Sequence, residues 1–230
     1  VADGVAARKH STKKIMLSFD EWNVWYKSRS ISDLRKPGWP EAPRLIEEVY
    51  NHEDALVNGG ALITMMNNAD RVKTACLAQL VNVIGPIMTE PGGPAWRQTI
   101  FHPFALTSRY AHGRVLRPVI DSPTYEAKTF PEISYLCASV VDDETTGRTA
   151  VFAINRHLTD EMTLTIELRG RSIVLSLAAL AQTPVPRTAP AAPAASAAAA
   201  PPIITKTSCH RCGSYAFSIT SPLPQDGHEI

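Results

Sequence analysis

The residues best suited to chemistry lie near the start of the chain, around the carboxylate of Glu21. Trp22 and Trp25 lie close to it in the sequence, and Asn23 adds amide donors and an acceptor. Sugars carry C–H patches on one face and hydroxyl groups around the rim, so they suit the flat face and polar edge of an indole. A carboxylate among aromatic rings is therefore a sensible arrangement for hydrolysing a glycosidic bond.

The residues alone leave two alternatives open at this position. Asp20 competes with Glu21, because adjacent strand residues point to opposite sides of a sheet. A lone acidic residue beside a tryptophan is also more often an ordinary surface or capping residue, since catalytic sites are recognised by several converging groups.

The elements around Glu21 alternate between strand and helix. The apolar segment 15–19 predicts a buried parallel strand, and a carboxylate just after such a strand lies where barrels present their functional residues. Apolar spacing near the helical period predicts a helix over 53–68 and another over 102–112. The apolar run 80–84 predicts a second buried strand.

Beyond residue 113 the pattern changes to that of antiparallel strands. Met162–Leu168 alternates apolar with polar residues, which is the period of a half-buried strand. Segments 133–141 and 149–155 flank a polar stretch and predict a β-hairpin. Residues 184–202 are dominated by Ala and Pro, which is typical of an extended linker or a disordered segment.

Composition excludes several classes of partner. The formal net charge is +1, which gives no field to attract a nucleic acid. No stretch approaches the roughly 18 apolar residues of a membrane helix. The four cysteines are sparse and unevenly spaced, which argues against a disulfide framework and favours a reducing compartment.

Long motifs, taken together, identify a family. The run Leu-Ser-Phe-Asp-Glu-Trp-Asn-Val-Trp-Tyr at 17–26 closely resembles the nucleophile segment of the family 51 glycoside hydrolases, the α-L-arabinofuranosidases. The resemblance continues through Glu-Asp-Ala-Leu at 53–56, Asn-Gly-Gly at 58–60, Ala-Asp-Arg-Val-Lys at 69–73, Ala-Gln-Leu-Val-Asn-Val-Ile at 78–84 and Gly-Gly-Pro-Ala-Trp-Arg-Gln-Thr at 92–99. It fades near Gly170.

This resemblance implies a fold and a division of the chain. The fold is α/β plus β: the C-terminal part of a (β/α)8 barrel, about its last two βα units, followed by a partial jelly-roll β-sandwich. Residues 1–113 would belong to the barrel and 114–170 to the sandwich. We expect 171–230 to be an Ala/Pro-rich, disordered tail, which a frameshift, truncation or fusion after Gly170 would explain.

The resemblance also implies the roles of three residues. The residue that matches Glu21 is the nucleophile, at the end of the seventh barrel strand. The residue that matches Trp25 contacts the arabinose, and the one that matches Gln98 hydrogen-bonds the sugar after the eighth strand. Family membership further implies arabinose-containing oligosaccharides as substrates, no metal or organic cofactor, a cytoplasmic location and a hexamer for the intact enzyme.

One part of the family's chemistry has no counterpart in this sequence. A retaining glycosidase needs two carboxyl groups, roughly 5–5.5 Å apart. In the family the acid/base belongs to an Asn-Glu dipeptide after the fourth strand, and no such dipeptide occurs here. A whole barrel takes about 250 residues, and only twenty residues precede Glu21. We therefore expect a C-terminal piece of the enzyme that has negligible turnover and exposed strand edges.

Three alternatives remain beside arabinose release. The family also contains activities on xylosides and glucans, which the nucleophile segment does not separate. The chain could instead serve as a non-catalytic carbohydrate-binding or assembly module that uses its tryptophans. The motif Cys209-x-x-Cys212, with His210 and His228 nearby, suggests a zinc-dependent tail, although it falls short of the four ligands that a structural site requires.

Overall fold

The computed structural model describes residues 1–26, 38, 48–168, 171–177, 203–208 and 215–220. The chain divides into two compact units, residues 1–104 and 105–230. The first contains helix α1 (Ala2–Arg8), strand β1 (Leu17–Trp22), helix α2 (His52–Asn67) and strands β2 (Val72–Leu77), β3 (Ile87–Thr89) and β4 (Ala95–Arg97). Helix α3 (Phe101–Tyr110) spans the division between the units.

A strand–helix–strand unit forms the centre of the first part. Strands β1 and β2 pair in parallel. Two parallel strands need a crossover connection, and here that connection contains α2. Helix α2 begins with a capping box, because Asn51 and Asp54 each accept the other's backbone N–H. The predicted helix over 53–68 is confirmed within one residue at each end. With 16 residues, α2 is the longest helix in the described ranges, and none of these helices could cross a membrane.

The second strand of this unit lies earlier than the sequence predicts. Strand β2 is Val72–Leu77, and the predicted strand over 80–84 is wrong. Asn82 and Val83 have φ angles of 58° and 57°, in the left-handed region that a strand excludes. The apolar run therefore belongs to a loop, where Val81 makes only an isolated bridge with Ile87.

The prediction that β1 is buried is also wrong. Leu17 and Phe19 are 47% and 50% exposed. The reason is the size of the sheet, since the described strands give β1 only one neighbour, β2. Within the described part of the chain, a strand with one neighbour retains an open edge.

The second unit contains two sheets. Strands β5 (Arg114–Leu116), β8 (Leu136–Asp143), β9 (Arg148–Asn155), β12 (Ile203–Ser208) and β13 (Tyr215–Thr220) form one sheet in the order β12-β13-β9-β8-β5. Strands β10 (Met162–Leu168) and β11 (Arg171–Leu177) form the other. A small hairpin of β6 (Thr124–Ala127) and β7 (Phe130–Ser134) precedes β8. Strands β8 and β9 confirm the hairpin predicted from the alternating pattern.

The two sheets pack face to face through an apolar core. The inward residues of the larger sheet meet Leu164 of β10 and Leu177 of β11, which is fully buried. Met162 and Ile166 pack on the same cluster, whereas Thr163 and Thr165 are exposed. The alternation predicted for Met162–Leu168 is therefore confirmed, and it directs alternate side chains of β10 towards the larger sheet.

The segment predicted as a strandless tail contains three strands. Arg171–Leu177 pairs with β10 along its whole length, and β13 pairs with β9 of the larger sheet. The prediction of a strandless tail is wrong for these segments. For β11 the reason is its Ile-Val-Leu at 173–175, which favours a strand that pairs with β10. The Ala/Pro-rich stretch at 184–202 and the Cys209–Cys212 motif lie outside the described residues.

Candidate active site

Glu21 lies one residue before the end of β1. Its side chain is exposed, and it has no hydrogen-bond or ion-pair partner among the described residues. Asp20, its neighbour in the strand, is exposed as well. The end of a parallel strand thus presents a free carboxylate to solvent, as a nucleophile or a general base requires.

Asn23 fixes the chain just after β1. Its Nδ2 donates to the carbonyl oxygens of Ala78 at 2.5 Å and Ile84 at 2.6 Å, and its Oδ1 accepts the N–H of Val24 at 2.8 Å. Both amide hydrogens are therefore used within the chain. The side chain therefore ties the end of β1 to the residues that follow β2.

Gln98 is buried, with 7% of its surface exposed, and serves as a cross-link between loops. Its Nε2 donates to the carbonyl oxygens of Gly85 at 2.9 Å and Glu48 at 3.1 Å. Its Oε1 accepts the N–H of Tyr50 at 3.1 Å. Since two carbonyls face one end of the amide and an N–H faces the other, the network fixes its orientation. Both amide hydrogens are used, and Oε1 keeps a second lone pair beyond the one that accepts the N–H of Tyr50.

Tyr50 connects the end of β1 to Gln98. Its single hydroxyl hydrogen is shared between two carbonyl oxygens, that of Val24 at 2.9 Å and, as the longer branch, that of Ile84 at 3.3 Å, and its backbone N–H donates to Gln98 Oε1. Tyr50 is not among the residues predicted from the sequence. A lone tyrosine 29 positions after Glu21 carries no local signal, since its partners lie 26 to 48 residues away.

Tyr26 is held by the N-terminus of α2. Its hydroxyl donates to Asp54 Oδ1, and the other carboxylate oxygen accepts the N–H of Asn51 at 2.7 Å. Asp54 is 1% exposed, and both of its carboxylate oxygens accept hydrogen bonds at the N-terminal end of α2. The first turn of α2 therefore fixes the far end of the segment that follows Glu21.

Two tryptophans near these residues are open to solvent. Trp25 is 61% exposed and Trp96, in β4, is 42% exposed. All three residues of β4 are exposed, whereas Met88, which pairs with Trp96 from β3, is buried. The described side chains include no group of three or more His, Cys, Asp or Glu that could hold a metal. The end of β1 thus carries two exposed carboxylates, Asp20 and Glu21, and the chain just after it bears the exposed indole of Trp25 and is held by amide and hydroxyl groups.

Comparison with known proteins places this arrangement in a family. Residues 20–196 match the family described as the alpha-L-arabinofuranosidase C-terminal domain. An intracellular exo-alpha-(1->5)-L-arabinofuranosidase of Halalkalibacterium halodurans is 51% identical over 170 residues, or 74% of this chain and 34% of the relative. An exo-alpha-(1->6)-L-arabinofuranosidase of Bifidobacterium longum is 50% identical over 159 residues, or 68% of this chain and 30% of the relative.

A solved structure shares the fold. It is a family 51 alpha-L-arabinofuranosidase from Bifidobacterium longum, 41% identical, with a TM-score of 0.66 over 74% of this chain and 35% of that one. The chain spans about a third of the length of the curated relatives it matches. It belongs to glycoside hydrolase family 51, the α-L-arabinofuranosidases, and carries the C-terminal domain of that family.

Proposed function

We propose that Glu21 is the nucleophile of a retaining α-L-arabinofuranosidase to which this chain contributes the C-terminal part. The observation that carries the proposal is the unpartnered, exposed carboxylate at the end of a parallel strand, within the motif that resembles the family's nucleophile segment. The chain beyond it is bonded to Ala78 and Ile84, to Tyr50 and to Asp54 of α2, so a group at this position is held for reaction.

The surrounding folds support this assignment. The parallel pairing of β1 and β2 across α2 suits the last two strands of a (β/α)8 barrel, which presents its functional residues at the carboxyl ends of its strands. The two packed sheets of the second unit suit a jelly-roll β-sandwich that follows the barrel.

The proposed reaction proceeds in two displacements. A carboxylate oxygen of Glu21 attacks the anomeric carbon, and the bond from that carbon to the leaving oxygen breaks as the oxygen takes a proton from an acid. Water then attacks the same carbon, gives its proton to the conjugate base of that acid and releases Glu21. The acid/base lies in the part of the family's barrel that has no match in this chain, so we expect the 230-residue chain alone to have negligible turnover.

In this proposal Trp25 and Gln98 contact the sugar. The exposed indole of Trp25 offers a face to the C–H side of arabinofuranose. Gln98 contacts a sugar hydroxyl through the remaining lone pair of Oε1, since both of its amide hydrogens are bound to backbone carbonyls. Its role towards the ligand is therefore that of an acceptor.

The names of the relatives indicate the substrate class but not the linkage that is cleaved. Relatives named for (1->5) and (1->6) linkages match this chain at 51% and 50% identity, so the shared part does not distinguish the linkage. We infer terminal α-L-arabinofuranose on arabinan or arabinoxylan oligosaccharides, with no cofactor. The name of the (1->5) relative includes the word intracellular, which supports a cytoplasmic location here. A hexamer for the intact enzyme stays a prediction.

A chimera tests the proposal. It places the part of the Halalkalibacterium halodurans relative that this chain does not match ahead of all 230 residues. We expect it to hydrolyse 4-nitrophenyl α-L-arabinofuranoside, and Glu21→Gln to lower kcat by a factor on the order of 10⁴ or more, which is the scale of losing a nucleophile. Glu126→Gln, an equal change at an exposed residue of β6, is the control.

The hydrolysis assay, together with calorimetry, separates the alternative functions. Hydrolysis that persists in Glu21→Gln would sink the nucleophile assignment. Calorimetry that finds binding of arabino-oligosaccharides without hydrolysis, lost in Trp25→Ala, would favour the binding-module alternative instead. Faster turnover of aryl xylosides or glucosides than of arabinofuranosides would replace the substrate class and keep the nucleophile.

A further inference from the structure

The loop after β2 is held in an unfavourable backbone conformation. Asn82 and Val83 lie consecutively in the left-handed region, and Val83 is β-branched, so its side chain opposes that conformation. At Gly85 a Cβ atom would come within 2.8 Å of the backbone nitrogen of Val81. A loop of this kind keeps its shape only where its surroundings fix it, and such strain concentrates at functional sites.

Three side chains supply that fixation. Asn23 donates to the carbonyl of Ile84, which also receives the longer branch of the hydrogen bond that the Tyr50 hydroxyl shares with Val24, and Gln98 donates to the carbonyl of Gly85. Two adjacent carbonyls of the strained loop are thus bound by side chains from three separate segments. The backbone N–H of Glu48 adds a further bond, to the carbonyl of Val83 at 2.8 Å.

Tyr50 occupies a central place among these contacts. Its hydroxyl reaches the loop at Ile84 and the segment after Glu21 at Val24, while its N–H reaches Gln98. One residue therefore bonds to the strand end that bears the carboxylate, to the loop and to the proposed sugar acceptor. The ring of Tyr50 is 5% exposed, so packing limits its freedom to move.

We propose that Tyr50 is a positioning residue, which sets the place of the Glu21–Trp25 segment relative to Gln98 through its hydroxyl. This inference rests on the proposed function for its catalytic consequence. Its structural part, that the Tyr50 hydroxyl couples Val24 to the loop and thereby to Trp25, stands on the hydrogen bonds alone. Asn23 supports the same strand end, but its bonds reach Ala78 and Ile84 rather than Gln98.

The substitution Tyr50→Phe isolates this role. It removes the hydroxyl and keeps the ring in its packing, and it leaves the backbone N–H that donates to Gln98. Tyr125→Phe is the matched control, because the Tyr125 hydroxyl has no hydrogen bond among the described residues. Comparing the two separates the loss of these bonds from the general effect of removing a phenol oxygen.

The first measurement uses the 230-residue chain itself. In ¹H–¹⁵N spectra we expect Tyr50→Phe to shift the Trp25 indole and the Asn23 side-chain amide signals. Amide exchange at Gly85 should also quicken by about tenfold, the factor associated with the loss of one hydrogen bond. Tyr125→Phe should leave these signals unchanged. Spectra and exchange at Trp25, Asn23 and Gly85 that match the unsubstituted chain would overturn the inference.

The second measurement uses the chimera, which retains the full chain. We expect Tyr50→Phe to lower kcat by about tenfold, while KM changes less, because a misplaced nucleophile slows the chemical step more than it weakens ground-state binding. A change in KM alone would contradict positioning of the nucleophile. If the unsubstituted chimera showed no hydrolysis, the proposed function would fail, and the spectra would still decide whether Tyr50 couples the two segments.

Discussion

At the scale of residues, the chain near Glu21 is fixed by amide and hydroxyl side chains rather than by strand pairing. The two described strands of its sheet leave β1 with an open edge, yet the chain beyond the strand is fixed by Asn23 and Tyr50. Their acceptors are backbone carbonyls, which stay in place whatever side chains the loop carries. Such contacts preorganise a site more firmly than contacts to mobile side chains.

Asp143 provides a prediction about pH in the second unit. Hydrogen bonds from Thr145 and then Thr146, at 2.6 Å and 2.7 Å from the hydroxyls, lower the pKa of this carboxyl from 3.8 to about 2. A lowered pKa in the folded state stabilises the fold above the unfolded value, and this contribution is lost as the pH falls from about 4 through 2. The contribution favours the turn that joins β8 to β9.

Asp143→Asn should therefore lower the melting temperature at pH 7 and have a much smaller effect at pH 2, where about half of the native carboxyl is already protonated. The asparagine retains an acceptor for Thr145 but presents an NH2 group to Thr146, so the pH dependence of the decrease, rather than its size, reports the charge. Asp121→Asn, at an exposed residue without a hydrogen bond among the described residues, is the control. An equal decrease in melting temperature at both pH values would contradict this explanation.

The sequence identifies the candidate nucleophile but not its supports. Glu21 and Trp25 lie in one short motif whose residue types suggest the chemistry. The bonds that hold the motif join residues far apart, such as Asn23 with Ile84, 61 positions away, and Gln98 with Glu48, 50 positions away. Pairings of that range depend on the fold, so no local spacing predicts them.

At the scale of elements, the core between the two sheets depends on a few side chains of β10. Leu164→Ala removes a buried side chain that packs against β8, β9 and β11, and we expect it to lower the free energy of unfolding by about 2–5 kcal/mol. The loss combines transfer of the apolar atoms with the cavity left behind. Urea unfolding followed through the second unit measures it.

The opposite face of the same strand supplies the control. Thr163 is exposed, so Thr163→Ala should cost less than about 1 kcal/mol, through β-propensity alone. Similar losses for the two substitutions would mean that β10 and β11 do not pack on the larger sheet.

Strands and helices could be predicted where apolar residues recur with a clear period. The prediction is wrong where tertiary contacts determine the backbone conformation. The hairpin of β8 and β9 and the alternation of Met162–Leu168 follow the period of two. In contrast, the run 80–84 is as apolar as a strand but forms a loop. Asn82 and Val83 are left-handed there, and the carbonyl of Ile84 accepts a hydrogen bond from the Asn23 side chain. Strand β11 escaped prediction because its sequence precedes a low-complexity stretch that dominates the composition.

At the scale of the whole molecule, the chain represents about a third of its curated relatives. Leu17 and Phe19 of β1 are about half exposed, which is typical of strands that pair further in a larger sheet. We expect the 230-residue chain alone to bind a hydrophobic dye and to show no turnover of 4-nitrophenyl α-L-arabinofuranoside. The chimera should show turnover and weaker dye binding. Turnover by the chain alone would refute the requirement for an acid/base supplied from elsewhere.

The central claim concerns one bond, between a carboxylate oxygen and an anomeric carbon. A donor with a dinitrophenolate leaving group and fluorine at C2 of arabinofuranose tests it directly, because the leaving group speeds the first displacement and the fluorine slows the release. After reaction with the chimera, peptide mass spectrometry should find the fluoroarabinosyl group on Glu21. The same group on Asp20, or on any residue other than Glu21, would contradict the account.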